Sequence, residues 1–554
     1  MHRAIVVLGI TAVLSQMTVA CNSQQANKAK QSAPSTASAP SSVRQPIKAQ
    51  SQPLARRLPA AKISQDNTNI PAQQDRRVEQ DTNREGYNPI EENPFVRVSD
   101  SPLSTFSIDV DTASYSNVRR FINEGQLPPK DAVRLEEMIN YFTYDYPQPT
   151  GKTPFSVSTE ISEAPWNAAH RLVQIGLQGK GISTENLPAS NLVFLIDVSG
   201  SMADPNKLPL LKSSLRLLVN ELRAQDRASI VVYAGNAGLA LPSTPGNQKN
   251  KILNVIDKLE AGGSTAGGAG VQLAYKIAKE NLIKSGNNRV ILATDGDFNV
   301  GLSSDAELVR LIEKEREQGI FLTVLGVGLG NLQDAKMEQL ADKGNGNYAY
   351  IDSLLEAKKV LVKEMGGTLL TIAKDVKMQV EFNPAKVQAY RLVGYENRRL
   401  QNQDFNDDKK DAGELGAGHS VTALYEIIPA GVKSDVPLPK VDPLKYQQNQ
   451  ANDNGRNELM QVKLRYKEPN QSTSQLLAVP VVDRRQKLDN ASTNLKFSAA
   501  VAAFGMVLRD SQYKGTANFD EVLKLSSQSQ GTDLDGYRAE FIRLVQKSKT
   551  LKKT

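Results

Sequence analysis

A carboxylate followed at two-residue intervals by hydroxyls is a set of hard oxygen donors, and the run Asp197-Val-Ser-Gly-Ser201 supplies such a set within one short loop. Oxygen donors of this kind hold Mg2+ in octahedral geometry, whereas Ca2+ takes more of them; Mn2+ is the other alternative. Hydroxyls coordinate without adding charge, so an ion held by Asp197, Ser199 and Ser201 keeps enough electrophilicity to attract a further carboxylate from outside. Two other segments add to the set. Gly262-Gly-Ser-Thr265 has the glycines for a tight loop that brings the Thr265 hydroxyl inward. The apolar run Val290-Ile-Leu-Ala-Thr ends in Asp295-Gly, which delivers a second carboxylate at the end of a buried strand.

These side chains converge only if parallel strands carry them to one edge of a sheet, where loops open and ligands bind. From Asn191 onward the sequence alternates short apolar runs with amphipathic stretches, the pattern of a mostly parallel sheet covered on both faces by helices. The apolar runs predict strands at 192–196, 229–233, 290–293 and 321–327, with edge strands near Leu239 and Tyr348. Helices are predicted at 208–223, 250–259, 268–283, 304–318, 332–341 and 353–365. A Rossmann-like α/β domain is the economical reading.

Both flanks of this region are different in character. Residues 104–115 read as a strand running into a helix, and 133–142 as a second helix after the break at Leu127-Pro-Pro. Two-residue alternation at 155–161, 172–177, 376–382, 387–393, 421–428 and 459–466 predicts half-buried strands. Those before and after the α/β region are expected to pair in one antiparallel sheet or sandwich. Helices are predicted at 495–508, 519–525 and 537–545, with the basic tail 547–553 frayed.

Composition limits the remaining possibilities. A chain of 554 residues with 40% hydrophobic and 23% charged residues is multidomain globular material. Its 67 Lys and Arg against 60 Asp and Glu give +7 with no long basic run, which does not argue for nucleic acid. Cys21 is the only cysteine, so no intramolecular disulfide is available. It follows a short basic start, the apolar stretch 4–13 and the residues Thr18, Val19 and Ala20. This resembles a bacterial lipoprotein signal, with Thr18 where that pattern usually carries Leu. The resemblance implies that Cys21 is lipidated and anchors the protein to a membrane; Asn22, not being Asp, matches the pattern sent to the outer membrane. Residues 22–92 are rich in Ser, Gln, Ala, Pro and Asn, and are read as a disordered linker between lipid and folded body.

The set Asp197, Ser199, Ser201, Thr265 and Asp295 resembles the metal-ion-dependent adhesion site of von Willebrand factor type A domains, position for position. That resemblance implies Mg2+ as the usual ion and an Asp or Glu carboxylate of an unidentified protein partner in the remaining coordination position. The blocks Thr105-Phe-Ser-Ile-Asp-Val-Asp-Thr-Ala-Ser-Tyr115, Arg134-Leu-Glu-Glu-Met-Ile-Asn-Tyr-Phe142 and Ala499-Ala-Val-Ala-Ala-Phe-Gly-Met-Val-Leu508 resemble the flanking regions of bacterial von Willebrand A lipoproteins. The expected division is a signal at 1–21, the linker at 22–92, an amino-terminal region at 93–150, flanking strands at 151–189, the A domain at 190–366, and a β-rich then helical region at 367–554.

The function expected from this is a lipid-anchored binding protein of the bacterial cell envelope, and not an enzyme. The alternatives are an envelope scaffold and, further off, a metal-dependent phosphohydrolase. The last is suggested by Phe106-Ser-Ile-Asp109-Val-Asp111-Thr, which superficially resembles the nucleophile loop of haloacid dehalogenases. Ala113 stands where that family wants Thr or Val, so Asp109 and Asp111 are read as turn or cap residues. Only His2 in the signal, His170 in or beside a strand and His419 in a polar loop are available for a hydrolase triad, so a nucleophile and imidazole partnership has few candidates.

Overall fold

The computed structural model describes residues 84–263, 267–296, 305–364, 370–438 and 457–553. At its centre is a six-stranded sheet. Its spatial order is Tyr348–Ile351, Ile320–Val327, Asn287–Thr294, Ser190–Asp197, Arg227–Tyr233 and Ala237–Pro245. All neighbours are parallel except the last pair, which is antiparallel. Ser190–Asp197 is buried along its whole length, as a central strand covered on both faces must be. Because successive side chains point to opposite faces, Leu192, Phe194 and Ile196 pack with Leu211, Leu215 and Ile256 in one core. Val193 and Leu195 pack with Val271, Ala274 and Leu308 in another. The predicted α/β architecture is therefore present.

One crossover from Ser190–Asp197 leads to Arg227–Tyr233, and the chain later returns on the opposite side at Asn287–Thr294. The crevice at the carboxyl ends of Ser190–Asp197 and Asn287–Thr294 is thus a topological switch point, the place where open α/β sheets bind ligands.

The flanking strands form a sandwich and not one sheet. Phe155–Ala164 and Asn167–Gly179 make a hairpin, which continues through Ser420–Pro429 and Val387–Val393 to the short strand Val96–Arg97. The second sheet holds Gly413–Gly416, Thr371–Phe382, Glu458–Lys467 and Gln475–Val482, with Leu103–Ser107 also paired to Thr371–Phe382. Ile175 and Leu177 of the first sheet share a core with Met378, Val380 and Leu464 of the second. Strands on either side of the α/β domain do pair, as the alternation suggests. Residues 376–382 and 459–466, however, face the hairpin across that core instead of extending its sheet.

The third layer is helical and joins the two ends of the described chain. Ala113–Asn123 and Leu135–Asn140 pack with Thr493–Arg509, Phe519–Gln528 and Tyr537–Leu551. Thr493–Arg509 is apolar on nearly every face and is correspondingly buried. Its Gly505 lets the Leu135 side chain approach: a Cβ there would lie 2.3 Å from Leu135 Cδ2. The basic end of the chain is not frayed as its composition suggests, because Tyr537–Leu551 runs on as helix. Lys547 donates to Asn123 at 2.7 Å and Lys549 pairs with Asp520, which ties this last turn down.

Order also begins before residue 93, inside the stretch 22–92 read as a linker. Glu85 accepts from Arg120 at 2.8 Å, and the Tyr87 hydroxyl accepts from Asn117 at 2.6 Å. Polar partners at distant positions hold a segment that lacks the apolar content to announce itself.

Candidate metal centre

Asp197 ends the central strand, and the chain turns immediately. Ser199 is extended and Gly200–Ala203 forms a single 3-10 turn. The curl is closed locally by the Ser199 amide, which donates to Asp197 Oδ1 at 2.9 Å. It brings the Ser199 and Ser201 hydroxyl oxygens to 3.1 Å from each other. Alongside lies the glycine loop: Gly262 N donates to Val198 O at 2.8 Å, and Gly200 N donates to Gly263 O at 3.0 Å. Gly263 has φ +84°, a left-handed conformation that suits glycine. Thr265 lies outside the described residues, as does Cys21. The two glycines that lead to Thr265 do run against the Asp197–Ser201 loop.

Asp295 follows the neighbouring parallel strand and is fully buried. After it, Gly296 has φ +109°, and a Cβ there would lie 2.2 Å from Asn331 O, so only glycine fits the turn. Four of the five predicted ligands are thus described, and they come together. Three other side chains complete the surroundings. Tyr233 OH and Thr294 Oγ1 donate to Asp197 Oδ2 at 3.1 and 3.2 Å. Lys207 Nζ donates to Asp295 Oδ2 at 2.9 Å. Sequence reading missed these three. Tyr233 and Thr294 are signalled weakly by ending strands next to Asp197, but nothing local distinguishes Lys207.

Burial pushes the Asp197 carboxyl above its ordinary range and the nearby charge of Asp295 adds to this, against hydrogen bonds from Ser199 and Tyr233. Two buried carboxylates side by side are the electrostatic condition that a cation relieves. Among the described residues no three His, Cys, Asp or Glu side chains cluster as a metal site. A centre made of two carboxylates completed by hydroxyls does not require such a cluster. The donors are all oxygen, which fits Mg2+ and gives thiolate-preferring metals nothing to bind.

Asp109 and Asp111 lie elsewhere. Asp111 accepts from Tyr348 N at 2.7 Å and from Arg398 Nη2 at 3.1 Å, and Asp109 pairs with Arg398 at 3.4 Å. They join the sandwich to the edge strand of the α/β sheet. The nearby Glu414 accepts from Asn345 at 3.0 Å through Oε1, while its buried Oε2 has no hydrogen-bond donor. Burial, then the charge of Asp375, push its carboxyl up to about 8. A carboxyl raised in the folded state keeps its proton there, so stability is lost as pH rises from the unfolded value through about 8. Glu414→Gln is expected to change the melting midpoint little near pH 4.5 and to raise it progressively up to about pH 8. Melting curves of both proteins across that range test it; a pH-independent difference would refute it.

His170 is fully buried, with Nδ1 2.5 Å from Glu426 Oε1 and Nε2 2.7 Å from Ser434 Oγ. This Ser–His–Glu series is absent from the sequence reading because its members meet only through the pairing of Asn167–Gly179 with Ser420–Pro429. Arg391 Nη2 also binds Glu426 Oε2 at 2.9 Å, and Val436 N donates to Ser434 Oγ at 3.2 Å. Burial acts to raise the Glu426 carboxyl, but the hydrogen bond with His170 and the charge of Arg391 hold it below its ordinary range. Arg391 already pairs with the Glu426 carboxylate, and the Val436 amide donates to the serine oxygen. The cluster is a buried polar clamp on the loop after Ser420–Pro429.

No described helix is long and apolar enough to cross a membrane. Comparison with known proteins gives the fold its family. Residues 191–363 match the von Willebrand factor type A domain, residues 81–174 match the family described as von Willebrand factor, and residues 367–551 match the C-terminal region of the uncharacterized protein YfbK. A magnesium-chelatase 67 kDa subunit of Chlorobaculum parvum is 26% identical over 227 residues, 35% of this chain and 36% of that protein. The solved von Willebrand factor type A protein of Catenulispora acidiphila covers 70% of this chain and 89% of its own at 17% identity and a TM-score of 0.38, too low to carry an argument. The uncharacterized protein YfbK of Escherichia coli (strain K12) is 47% identical over 469 residues, spanning 83% of this chain and 80% of that protein. With that identity over that span, and with matches to both the A domain and the carboxy-terminal region, the chain belongs to the YfbK family of von Willebrand factor type A domain proteins.

Proposed function

We propose that this is a binding protein of the bacterial cell envelope, which engages an Asp or Glu carboxylate of a protein partner through a divalent ion. The observation that carries the reading is the convergence of Asp197, Ser199, Ser201 and Asp295 at the switch point of the sheet. Asp197 and Asp295 supply the negative charge that draws an ion in. Ser199 and Ser201 fill coordination positions without cancelling its charge, and Thr265 is the fifth donor. The bound ion, Mg2+ with Mn2+ or Ca2+ as alternatives, supplies a Lewis-acidic position for the partner's carboxylate. Tyr233 and Thr294 orient Asp197 through Oδ2. Cys21 is the proposed lipidation site, and the segment after it would let the body reach a partner away from the membrane.

The test is calorimetric titration of Mg2+ into the purified full-length protein and into Asp197→Ala. Saturable binding in the parent and its loss in a folded Asp197→Ala protein are expected; binding that survives in folded Asp197→Ala, or no binding by the parent even after the Lys207 charge is removed, would overturn the reading. A scaffold role is the second reading, favoured by the way Ala113–Asn123 packs on the edge strand Tyr348–Ile351 and Arg398 beside the sandwich pairs with Glu338 and Asp342 of the A domain. Neither reading involves catalysis. Accordingly, a fluorophosphonate probe is expected to leave Ser434 unlabelled, and labelling that disappears in His170→Ala would count against a pure binding role.

A further inference from the structure

We infer that Lys207 is a built-in counter-ion of the metal centre, which weakens the site's affinity for its ion and keeps the empty site folded. This rests on the metal-binding reading of Asp197 and Asp295. Lysine is rarely buried, yet Lys207 is only 4% exposed and its ammonium bonds the fully buried Asp295 at 2.9 Å. Its other acidic neighbour, Asp204, is 3.9 Å away and largely exposed, so Asp295 is its principal partner.

The fold has a slot for this side chain. Gly328 follows the strand Ile320–Val327 with φ +78°, and a Cβ at that position would lie 2.3 Å from Lys207 Cγ and 2.4 Å from Cε. Any other residue at 328 would displace the lysine stem. Tyr350 OH donates to Gly328 O at 2.6 Å and fixes that turn from the other side. The lysine backbone is pinned as well: its amide donates to Asp204 O at 3.0 Å, and its carbonyl accepts from Leu211 N at 2.9 Å in the first turn of Leu208–Glu221. A long, flexible side chain has been given one path, and that path ends on a predicted metal ligand.

The charge arithmetic follows from the three groups. Asp197 and Asp295 together carry −2, and Lys207 reduces the empty site to −1. A divalent ion then leaves it at +1, where without the lysine it would be neutral. The ammonium therefore repels the incoming metal but leaves the loaded site positive toward an anionic partner. At the separation of neighbouring groups in a partly screened interior, this repulsion corresponds to roughly 10-fold or more in metal affinity.

The experiment compares Mg2+ titrations and metal-free melting curves of the full-length parent, Lys207→Met, Gly328→Ala and Asp197→Ala. Methionine keeps the length and apolar stem of lysine and removes the charge. Alanine at 328 evicts the stem and leaves the charge inventory unchanged. Both variants are expected to bind Mg2+ about 10-fold more tightly than the parent and to melt lower without metal, with Mg2+ restoring more of the midpoint than it does in the parent. A residue that merely filled space would not tighten metal binding when removed. Equal or weaker Mg2+ binding by folded Lys207→Met, while parent binding is abolished by Asp197→Ala, overturns this inference alone. No binding by the parent or by Lys207→Met overturns both this inference and the metal-site reading. Binding by Lys207→Met but not by the parent supports the inference in its strongest form.

Discussion

Asp295→Ala is expected to destabilise the metal-free protein by about 3–5 kcal/mol, far more than loss of a surface carboxylate would. The reason is the group left behind. Lys207 has Asp295 as its close partner and almost no exposure, so the truncation strands an ammonium inside the domain. Bringing that charge through folding without its counter-charge is costly, whereas removing both partners together need not be. The double variant Asp295→Ala/Lys207→Met is therefore expected to recover most of the loss. Because the protein has several packed layers, a global unfolding curve averages over them. Amide hydrogen exchange along Asn287–Thr294, the strand that carries Asp295, is the sharper readout. If Asp295→Ala exchanges like the parent there, the buried pair is not holding that strand end.

The second large effect is expected at Arg119, outside the candidate metal centre. Its guanidinium is 1% exposed and holds three carboxylates. It donates to Asp352 from Nε at 2.7 Å and from Nη2 at 2.5 Å, to Glu356 at 2.7 Å and to Glu540 at 3.1 Å. Tyr141, which accepts from Arg119 at 2.9 Å, donates in turn to Glu356 at 2.7 Å. One side chain thus ties the amino-terminal helix Ala113–Asn123 to the last turns of the A domain and to the carboxy-terminal helix Tyr537–Leu551. Arg119→Met leaves those acids together in a buried place, and a loss of about 3–5 kcal/mol is expected.

The sign of its pH dependence is also determined. Burial already pushes Glu356 up, and the Arg119 charge opposes it. Without the arginine the carboxyl rises further, and a carboxyl raised in the folded state loses stability as pH increases. The deficit should shrink on acidification and in Arg119→Met/Glu356→Gln. Faster hydrogen exchange in Leu354–Lys358 and the π turn Lys359–Glu364 of Arg119→Met is the measurement. Unchanged exchange there would mean that the end of the A domain is held by its own packing and not by the frame around it.

How much of this was legible beforehand differs sharply by element. The strand Ser190–Asp197 and the loop after it were readable because a buried strand must be continuously apolar and its end is marked by the first run of Asp, Ser and Gly. Asp295-Gly was readable for the same reason, since burial of Asn287–Thr294 and the turn at Gly296 are both written locally. The two-residue alternation of the flanking strands was visible too, but alternation says which face is buried and not which strand is the neighbour. That is why residues 376–382 and 459–466 belong to a second sheet when a single one was equally consistent with their pattern. The last helix was legible over 537–545, but its basic end at 547–553 reads as a frayed tail from composition, and only Asn123 and Asp520, distant in sequence, show why it is held.

By itself the sequence determined the α/β alternation, the order of the loops that carry the candidate ligands and the residue types able to hold a hard divalent ion, because each depends on backbone period and local turn chemistry. The tertiary structure alone decided what surrounds those ligands. Lys207 against Gly328, Tyr233 against Asp197, Arg119 among Asp352, Glu356 and Glu540, and Ser434 against His170 all join residues far apart in the chain. The physical reason is that spacing along a strand or turn is set by bonds between neighbours. The partner of a buried charge is set by which elements pack together, and no local pattern records that.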